Sequence, residues 1–568
     1  MKRLLYAFLT FIFIFILTGC SFTKGKNDNK ANIHSISIPF KNLSNEFTIK
    51  DTTIKTFFID DGNVPYISLI DFISNLDGFF DCGQNLRYIF EAKSNLLSIN
   101  YNYLYTLETH WDTNTISVDN YSFFSSIIKK RTTNYSRFMK YTNTYSYGKK
   151  SITFNLGGYH FDILYYKKEC LIPFVIANML FCSSNYYNIF YNGDAYYGYS
   201  GEISTYSEEY SIIHNSSLNG KSCPNDVRTA SINSLLFAFD YFYGLKNRYD
   251  VDYFKNYIQD EDIDLMFSND TNSFMQGYRN VLIKKLDELH TRIDTPSNYN
   301  NSDDTSVFSV SDYGDFRNEY YSVEEELATY KKAPFPDGVR AVRYYGDTAI
   351  ITLNSFKTGS KDDLYDSNGY LKDTAWKYDS YYYMQYCMYD IKQHNGVKDI
   401  LLDISQNGGG NMSAMQRVLG FITDNVLKYE TYDTLTDEYR IDYYKIDTDS
   451  DGNYDDDAYN QYRWTLLTSI NSFSAANTFT SCFVNQGLGR TIGQKTGGGM
   501  CTVLPILLAD GTAIAISSNN TMRYVEKNAE GTNIFYEIEN GINPNLKVPY
   551  IYFYTDEKLV NYIDQVYS

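Results

Sequence analysis

The chain has 568 residues, with 50 Lys and Arg against 68 Asp and Glu, and a formal net charge of −18 at pH 7. The charge is spread along an acidic chain without a basic patch, which argues against a nucleic-acid partner. The length exceeds what one hydrophobic core ordinarily supports, so several compact units are expected. The 58 tyrosines and 37 phenylalanines favour β-structure but indicate no particular ligand.

The N-terminus has the pattern of an export signal. Lys2 and Arg3 precede an apolar stretch that is too short to span a membrane comfortably and has the length of a signal-peptide core. Leu17–Cys20 then reads Leu-Thr-Gly-Cys, which resembles the lipobox of bacterial lipoproteins. That resemblance implies cleavage before Cys20, a lipid on its sulfur, and a mature protein anchored to the extracytoplasmic face of the cell membrane. An ordinary signal peptide with a chance cysteine is the alternative.

The other seven cysteines lack the spacing of a metal site. Because their number is odd, at least one is unpaired within the chain. Cys170 and Cys182 are the closest pair along the sequence, but spacing alone does not establish a disulfide. Buried free thiols are the simpler expectation.

The segment after the leader predicts a β-rich α+β module. Short strands alternate with turn residues, and a weak internal repetition is visible. Residues 57–76 and 165–180 each predict a strand, a turn, a strand containing proline, and a short apolar helix. The similarity is loose enough to be coincidental, so we expect no more than a binding or spacer role.

Further along, the periodicity of the apolar residues changes. Residues 226–289 have helical spacing, and a loop rich in Ser, Asn and Asp follows. Beyond residue 342, short strands such as 348–353 alternate with helical stretches such as 381–393, which predicts an α/β core. The expected divisions are a signal peptide at 1–19, a linker at 20–34, the β-rich module at 35–215, a helical subdomain at 224–300 and the α/β (α+β) core at 335–568.

Two segments of the predicted core have the pattern of an acyl-transfer site. Leu401–Gly410 predicts a strand that runs into a glycine loop with bare backbone N–H groups. Ser472–Asn477 predicts a strand end that places Ser474 at the start of a helix. A tetrahedral oxyanion needs fixed hydrogen-bond donors on one side and an activated hydroxyl on the other. The two segments together therefore indicate more than either does alone.

These segments belong to five motifs that occur in the order typical of one family. Over about residues 226–555 the chain resembles the tail-specific and tricorn-core serine peptidases, which include the C-terminal processing proteases. The resemblance implies a hydrolase that acts on protein or peptide substrates, with the α/β region as its peptidase core and the helical segment as its N-terminal subdomain. The motifs are Leu289–Thr291, Leu401–Gly410, Ser474–Ala476, Gly493–Gly498 and Glu539–Pro544.

The resemblance also implies roles for single residues. Ser474 takes the position of the nucleophile, and the backbone N–H groups of Gly409 and Ala475 take the positions of the oxyanion donors. Ser472 is the nearest rival nucleophile, but it is out of frame with the motif.

Two ways of activating the serine occur in the family. One branch uses a lysine, whose place is held here by Gly499, so a Ser–Lys dyad in that place is excluded; Lys495 remains an alternative base. His290 stands where the tricorn-like branch keeps its base, and an imidazole with a reference pKa near 6.5 is mostly free to accept a proton at neutral pH. Glu539 is the expected orienting carboxylate, with Glu537 as the alternate. The interval of about 50 residues from His290 to the first core strand is too short for a PDZ domain.

An acidic loop in the core has the ligand spacing of a calcium site. A glycine occupies its sharp turn, but the twelfth position is Ala458 in place of a bidentate acid. A solvated acidic loop is therefore preferred, and calcium is the only cofactor left open. The candidate ligands are Asp447, Asp449, Asp451, Asn453 and Asp455.

Taken together, these patterns predict a lipid-anchored extracytoplasmic serine endopeptidase that uses a Ser-His-Glu mechanism. The competing interpretation is a non-catalytic surface protein that keeps the peptidase fold and binds peptides.

Overall fold

The structure, a computed structural model, describes residues 32–300, 313–454 and 459–568. The expected signal peptide and Cys20 lie outside these residues. Within them the strands form four sheets. A helix with the length and apolarity needed to cross a membrane is not found in this part of the chain. All seven cysteines described are free thiols.

Two sheets are built from the N-terminal segment. One has the order β10-β11-β3-β2-β1-β13-β12 and the other the order β4-β5-β6-β7-β9. The strands are β1 Ile33–Asn42, β2 Thr52–Ile59, β3 Tyr66–Ser68, β4 Leu86–Glu91, β5 Leu96–Tyr101, β6 Tyr105–His110, β7 Thr115–Val118, β8 Met139–Tyr147, β9 Ile152–Asn155, β10 Leu164–Tyr166, β11 Glu169–Pro173, β12 Tyr187–Tyr191 and β13 Tyr196–Ser200. The helices are α1 Leu69–Asn75, α2 Phe123–Ser126, α3 Phe174–Phe181 and α4 Glu208–His214.

The two segments with similar sequence lie side by side in the first sheet. Each forms two antiparallel strands followed by a helix, β2-β3-α1 and β10-β11-α3. Strand β11 pairs antiparallel with β3, with Ile172 opposite Ile67. Both helices start directly after a strand and bury their apolar side chains in one core, where Phe72 meets Phe174 edge to face.

The helical segment consists of several short elements. They are α5 Asn225–Phe242, α6 Asp260–Met266 and α7 Thr271–Arg279, with a π-helical stretch at Asn280–Lys285. Asp270 caps α7 by accepting a hydrogen bond from the N–H of Ser273, which is the usual reason that a helix starts after an aspartate. Their apolar faces share the core of the N-terminal sheets, where Phe237 contacts Phe154.

The remaining strands and helices form the α/β part of the molecule. The strands are β14 Arg292–Thr295, β15 Val342–Tyr345, β16 Thr348–Thr352, β17 Asp399–Asp403, β18 Leu427–Asp433, β19 Glu438–Ile446, β20 Arg463–Thr468, β21 Arg490–Gly493, β22 Cys501–Leu507, β23 Ala513–Lys527, β24 Asn533–Glu537 and β25 Leu546–Lys547. The helices are α8 Asp315–Lys332, α9 Lys361–Leu364, α10 Ser380–Gln393, α11 Met412–Gly420, α12 Ala475–Asn485 and α13 Asp556–Tyr567.

The central sheet has the order β15-β16-β17-β20-β21-β25, and its strands run parallel from β16 to β25. Every residue of β17 is buried, as expected for a parallel strand covered by helices on both faces. The predicted α/β core is confirmed by this sheet.

A further sheet joins the two halves of the chain. Its order is β14-β23-β18-β19-β8, and β22 and β24 also pair with β23. Strand β8 belongs to the N-terminal segment, yet it pairs along its whole length with β19, from Met139 opposite Ile446 to Tyr147 opposite Tyr439. The expected boundary near residue 215 therefore does not separate two independent sheets.

Candidate active site

Ser474 lies at a sharp turn between strand β20 and helix α12. Its backbone has φ 57° and ψ −119°, a region that residues other than glycine rarely adopt. Strained strand-to-helix turns of this kind present a nucleophile above a sheet. The N–H of Ser474 donates to the carbonyl of Gly498 at 2.8 Å, and the side chain is partly exposed. The hydroxyl therefore faces open space from a fixed backbone.

The glycine loop after β17 supports this turn. Because β17 and β20 are parallel neighbours, their carboxyl ends meet at the same sheet edge, where ligands of α/β sheets usually bind. The N–H of Phe473 donates to the carbonyl of Asn407 at 3.1 Å. A Cβ on Gly409 would lie 2.7 Å from the Cβ of Ser474, and φ at Gly409 is +105°. Only glycine fits beside the serine at this position.

Ser472 is committed to the structure of the turn. Its Oγ donates to the carbonyl of Ile404 at 2.7 Å and accepts from the N–H of Ser469 at 3.1 Å. The residue is fully buried. Of these two serines, Ser474 is the one that lines the cavity described below.

The structure gives the two expected oxyanion donors different surroundings. The N–H of Ala475 has no hydrogen-bond partner among the described residues. The N–H of Gly409, in contrast, donates to Oδ1 of Asn407 at 2.9 Å. The oxyanion role of Gly409 stays a prediction that requires this bond to open. The neighbouring Gly410 lines the cavity, and its N–H has no partner in the described ranges.

His290 is held in place by its backbone. Its N–H donates to Oε2 of Glu288 at 2.7 Å, and its carbonyl accepts from Arg292 at 3.2 Å. Helix α8 fixes the same loop, because the Arg317 guanidinium donates to the carbonyls of Glu288 and, at 2.6 Å, Thr291. The loop therefore has little freedom at its backbone.

The imidazole ring of His290 packs beside the nucleophile turn. Its centroid lies 4.8 Å from that of Phe473, the residue before Ser474, and the side chain is buried. Neither ring nitrogen has a hydrogen-bond partner among the residues that the structure describes. Burial lowers the pKa of the ring to about 3, and the charges of Arg292 and Arg317 add to that effect. The ring is thus neutral at physiological pH.

Glu539 does not orient His290 in this structure. Its Oε2 accepts from the N–H of Met500 at 2.7 Å, and burial raises the pKa of the carboxyl to about 7. The expected glutamate-to-imidazole hydrogen bond is therefore absent among the described residues. Glu537, the alternate, is exposed and forms ion pairs with Arg523 at 2.9 Å and Arg248 at 3.2 Å. The orienting role of either glutamate stays a prediction.

The candidate residues are divided between two cavities. Ser474 and His290 line a cavity of about 840 Å³. Glu539 and Lys495 line another, of about 660 Å³, together with Glu288. Lys495 is exposed and shares no cavity with Ser474, so its position does not favour it as the base.

Some functional elements were not found by reading the sequence. Arg317 and Asp287 tie the His290 loop to helix α8, and Asp287 caps that helix by accepting from the N–H groups of Phe316 and Arg317. The only local signal is an aspartate three residues before His290. The N-terminal segment also lines the Ser474 cavity, with Arg131, Tyr135, Ser184, Tyr186 and Glu202.

The acidic loop brings part of its candidate ligands together. One carboxylate oxygen each of Asp447, Asp449 and Asp451 lies within 4.8 Å of the others. The oxygens of Asp447 already accept the N–H groups of Ser450 at 2.6 Å and Gly452 at 2.9 Å, and Asn453 bonds Asp451. These hydrogen bonds within the loop hold its backbone in the conformation that the structure shows. Asp455 and Ala458 lie outside the described residues, and calcium binding stays a prediction.

The α/β fold, the strained serine turn and the glycine loop together define a serine hydrolase of the acyl-transfer class. Residues 347–548 match the family model described as "Peptidase family S41". The chain therefore carries an S41 serine peptidase domain, which confirms the resemblance found in the sequence. No curated protein matches the chain.

Parts of the chain are also similar to solved structures. A candidate peptidase from Parabacteroides merdae has 17% identity and a TM-score of 0.40, and the alignment covers 61% of this chain and 98% of that one. A lipoprotein from Streptococcus agalactiae has 14% identity and a TM-score of 0.35, with 61% and 99% covered. A photosystem II D1 C-terminal processing protease has 19% identity and a TM-score of 0.25, with 37% and 46% covered. Similarities at this level add nothing about activity.

Proposed function

We propose that the protein is a serine endopeptidase in which Ser474 attacks the scissile carbonyl and His290 is the general base. The observation that carries this proposal is that Ser474, on a strained turn of the S41 peptidase domain, and the neutral imidazole of His290, which precedes that domain in the chain, line one cavity. A neutral ring has a free lone pair, and an unbonded ring can turn toward the hydroxyl.

The reaction follows the usual steps of acyl transfer. As Ser474 Oγ adds to the carbonyl carbon, its proton passes to His290, and the negative oxygen is stabilised by backbone N–H groups. The imidazolium then protonates the leaving amine as the C–N bond breaks, which leaves an acyl-serine. Water attacks this ester with His290 again as base, and the carboxylic acid product departs. Ala475 supplies one oxyanion donor, and Gly409 or Gly410 supplies the other.

A ring with a pKa of about 3 is a weak base. The proposal therefore requires a carboxylate to reach its second nitrogen when substrate is bound, since catalytic hydrogen bonds are often long in unliganded sites and tighten later. Glu539 is our candidate for this role. Its raised pKa shows a carboxyl that is poorly solvated, and forming a charge-assisted bond to an imidazolium would relieve that cost.

Labelling with a fluorophosphonate tests the proposal. We expect wild-type protein to form one covalent adduct on Ser474 and to hydrolyse an unfolded protein such as reduced casein. Ser474→Ala should do neither while keeping its unfolding temperature. A wild-type protein that neither labels nor cleaves would contradict the proposal.

A second candidate is a peptide-binding protein that keeps the fold without catalysis. It is favoured by the incomplete hydrogen bonding of the site, because neither His290 nitrogen is bonded and the Gly409 N–H is occupied. This candidate predicts binding of unfolded polypeptide without labelling.

We also propose that the protein is anchored at the extracytoplasmic face of the cell membrane by a lipid on Cys20. The support is the basic start, the short apolar stretch and the Leu-Thr-Gly-Cys sequence. Cys20→Ser should release the mature protein from membranes, and mass spectrometry of the N-terminal peptide should detect the lipid on the wild type. An unmodified, uncleaved N-terminus would contradict this assignment.

A further inference from the structure

A second cavity adjoins the one that contains Ser474 and His290. It has a volume of about 480 Å³. Four residues line both cavities: Ser184 and Tyr186 from the N-terminal segment, and Thr502 and Val503 from the peptidase domain. Because the two cavities share these residues on both chain segments, they adjoin, and we treat them together as one groove, with Ser474 in the lining of its first part.

Strand β22 runs along this groove. Cys501, Thr502 and Val503 line the first cavity, and the lining of the second continues to Leu504. The strand pairs with β23 alone among the described strands, and its register shifts between Cys501 and Val503. Residues 501–504 span about 10 Å of extended chain, so the groove has room for at least about three residues beside the strand.

The N-terminal segment forms a wall of the groove along its length. Arg131 and Tyr135 line the first cavity, whereas Tyr121, Ser122 and Ser125 line the second. The pairing of β8 with β19 joins this segment to the peptidase domain through backbone hydrogen bonds. The wall is therefore fixed relative to Ser474.

The groove has the chemistry of a backbone-binding site. Hydroxyl and amide side chains that both donate and accept line its second part, including Ser122, Ser125 and Asn520, whereas Ser518 and Asn519 are already bonded to Thr502 and Asp433. In the first cavity Arg292 is paired with Glu202, while Arg131 and Glu324 have no ion pair within the described ranges. Asp433, Glu438 and Arg440 line the second part, so charges of both signs line the groove. Such a lining suits the alternating N–H and C=O groups of an extended chain.

We propose that this groove binds an extended stretch of unfolded polypeptide on one side of the scissile bond, so that the N-terminal segment forms part of the substrate site. The inference rests on the proposed peptidase function and names its substrate class. Long unfolded chains gain contacts from the whole groove, whereas a small acylating reagent needs only the surroundings of Ser474.

A bulky residue where the two cavities meet tests this inference. Ser184 is exposed and lines both cavities, so Ser184→Trp narrows the groove at a site where a large side chain is tolerated. We expect kcat/KM for reduced casein to fall by about tenfold or more, and the fluorophosphonate labelling rate to stay within about twofold of wild type. The matched control is Ser94→Trp, an exposed serine of the same segment that lines neither cavity, which should leave both rates unchanged.

The outcomes distinguish failure of the proposed groove from failure of the proposed peptidase function. An unchanged casein rate in Ser184→Trp, or an equal loss of casein cleavage and labelling, would overturn the groove. A wild-type protein that does not label would overturn the peptidase function instead.

Hydrogen exchange on the inactive Ser474→Ala protein gives a second measurement that does not depend on the tryptophan variant. Reduced casein should slow exchange at residues 501–504 and 184–187. Protection that is confined to other residues would contradict the groove.

Discussion

Residues 469–474 and residues 287–291 bring the proposed nucleophile and the proposed base to one cavity, and the two segments differ in how many of their polar groups have hydrogen-bond partners. In the serine turn, the neighbouring hydroxyls and the backbone of Phe473 and Ser474 all have hydrogen-bond partners. In the histidine loop the backbone is held equally well, but the ring nitrogens have none. The backbone of Ser474 is therefore fixed in the free protein, whereas the proposed base would have to gain its hydrogen bonds when substrate binds.

Two neighbouring serines give the largest expected contrast within the serine turn. Ser474→Ala should reduce hydrolysis by at least about 10³-fold with little loss of stability, since the Ser474 side chain makes no hydrogen bond that caps helix α12. Ser472→Ala, the matched control, should keep labelling but lose about 1–2 kcal/mol, because two buried hydrogen bonds are broken. Activity assays and urea unfolding measure the two effects. Loss of labelling in Ser472→Ala but not in Ser474→Ala would show that Ser472, not Ser474, is the nucleophile.

A methyl group on Gly409 tests how closely the two loops must approach. Its Cβ would lie 2.7 Å from the Cβ of Ser474, so Gly409→Ala should push the serine away and lower the labelling rate by about 10²-fold. Gly338→Ala is the control for backbone strain. Gly338 also has a positive φ, +92°, but a Cβ added there would have no atom within 4 Å apart from its chain neighbours. The control should lose only about 1 kcal/mol of stability. Equal labelling by both variants would show that the approach is not needed.

Loosening the histidine loop should have a smaller effect. Arg317→Met removes the hydrogen bonds to the carbonyls of Glu288 and Thr291, and we expect kcat to fall by about tenfold. It also removes a positive charge, so the pKa of His290 and the acid limb of kcat/KM should move to higher pH. Arg340→Met, at an exposed arginine, is the control. An acid limb that stays in place would show that Arg317 acts on stability alone.

The last expected effect is a pH dependence of stability, which does not involve activity. The pKa of His290 falls from 6.5 to about 3 on folding, so between these values the unfolded chain binds the extra proton. The stability of the wild type relative to His290→Gln should therefore drop by about 1.4 kcal/mol for each pH unit from 6 down to 4, and stay level above pH 7. Glu539 and Asp294, whose carboxyl pKa values are raised, contribute equally to the stability of wild type and His290→Gln, so their contribution cancels in the difference. His34→Gln, which changes an exposed histidine, is the control and should follow the wild type. If the free energy of unfolding changed with pH equally in wild type and His290→Gln, His290 would not be a buried neutral ring.

Much of the fold was predictable because its signals are local. The apolar residues of β17 and β20, the glycines after β17 and the helix after Ser474 follow from periodicity and spacing. The glycine loop and the serine turn, which the sequence predicted as motifs, are also where the structure has the positive φ of Ser474 and the close approach that requires glycine at residue 409.

The rest depends on contacts between residues that are distant in the sequence. The pairing of β8 with β19 joins strands about 300 residues apart, and no spacing rule indicates it. The carboxylate of Glu539 accepts a hydrogen bond from the N–H of Met500, and the order of the motifs does not indicate this contact. Likewise, the sequence of helix α8 does not indicate that Arg317 bonds to the His290 loop.

The most direct measurement is the rate of fluorophosphonate labelling of Ser474 in wild type and His290→Gln between pH 4 and pH 8. If the buried imidazole takes the serine proton, wild type should label at least about 10²-fold faster than the variant, and its rate should show no acid limb near pH 6.5. Equal rates in the two proteins would show that His290 is not the base.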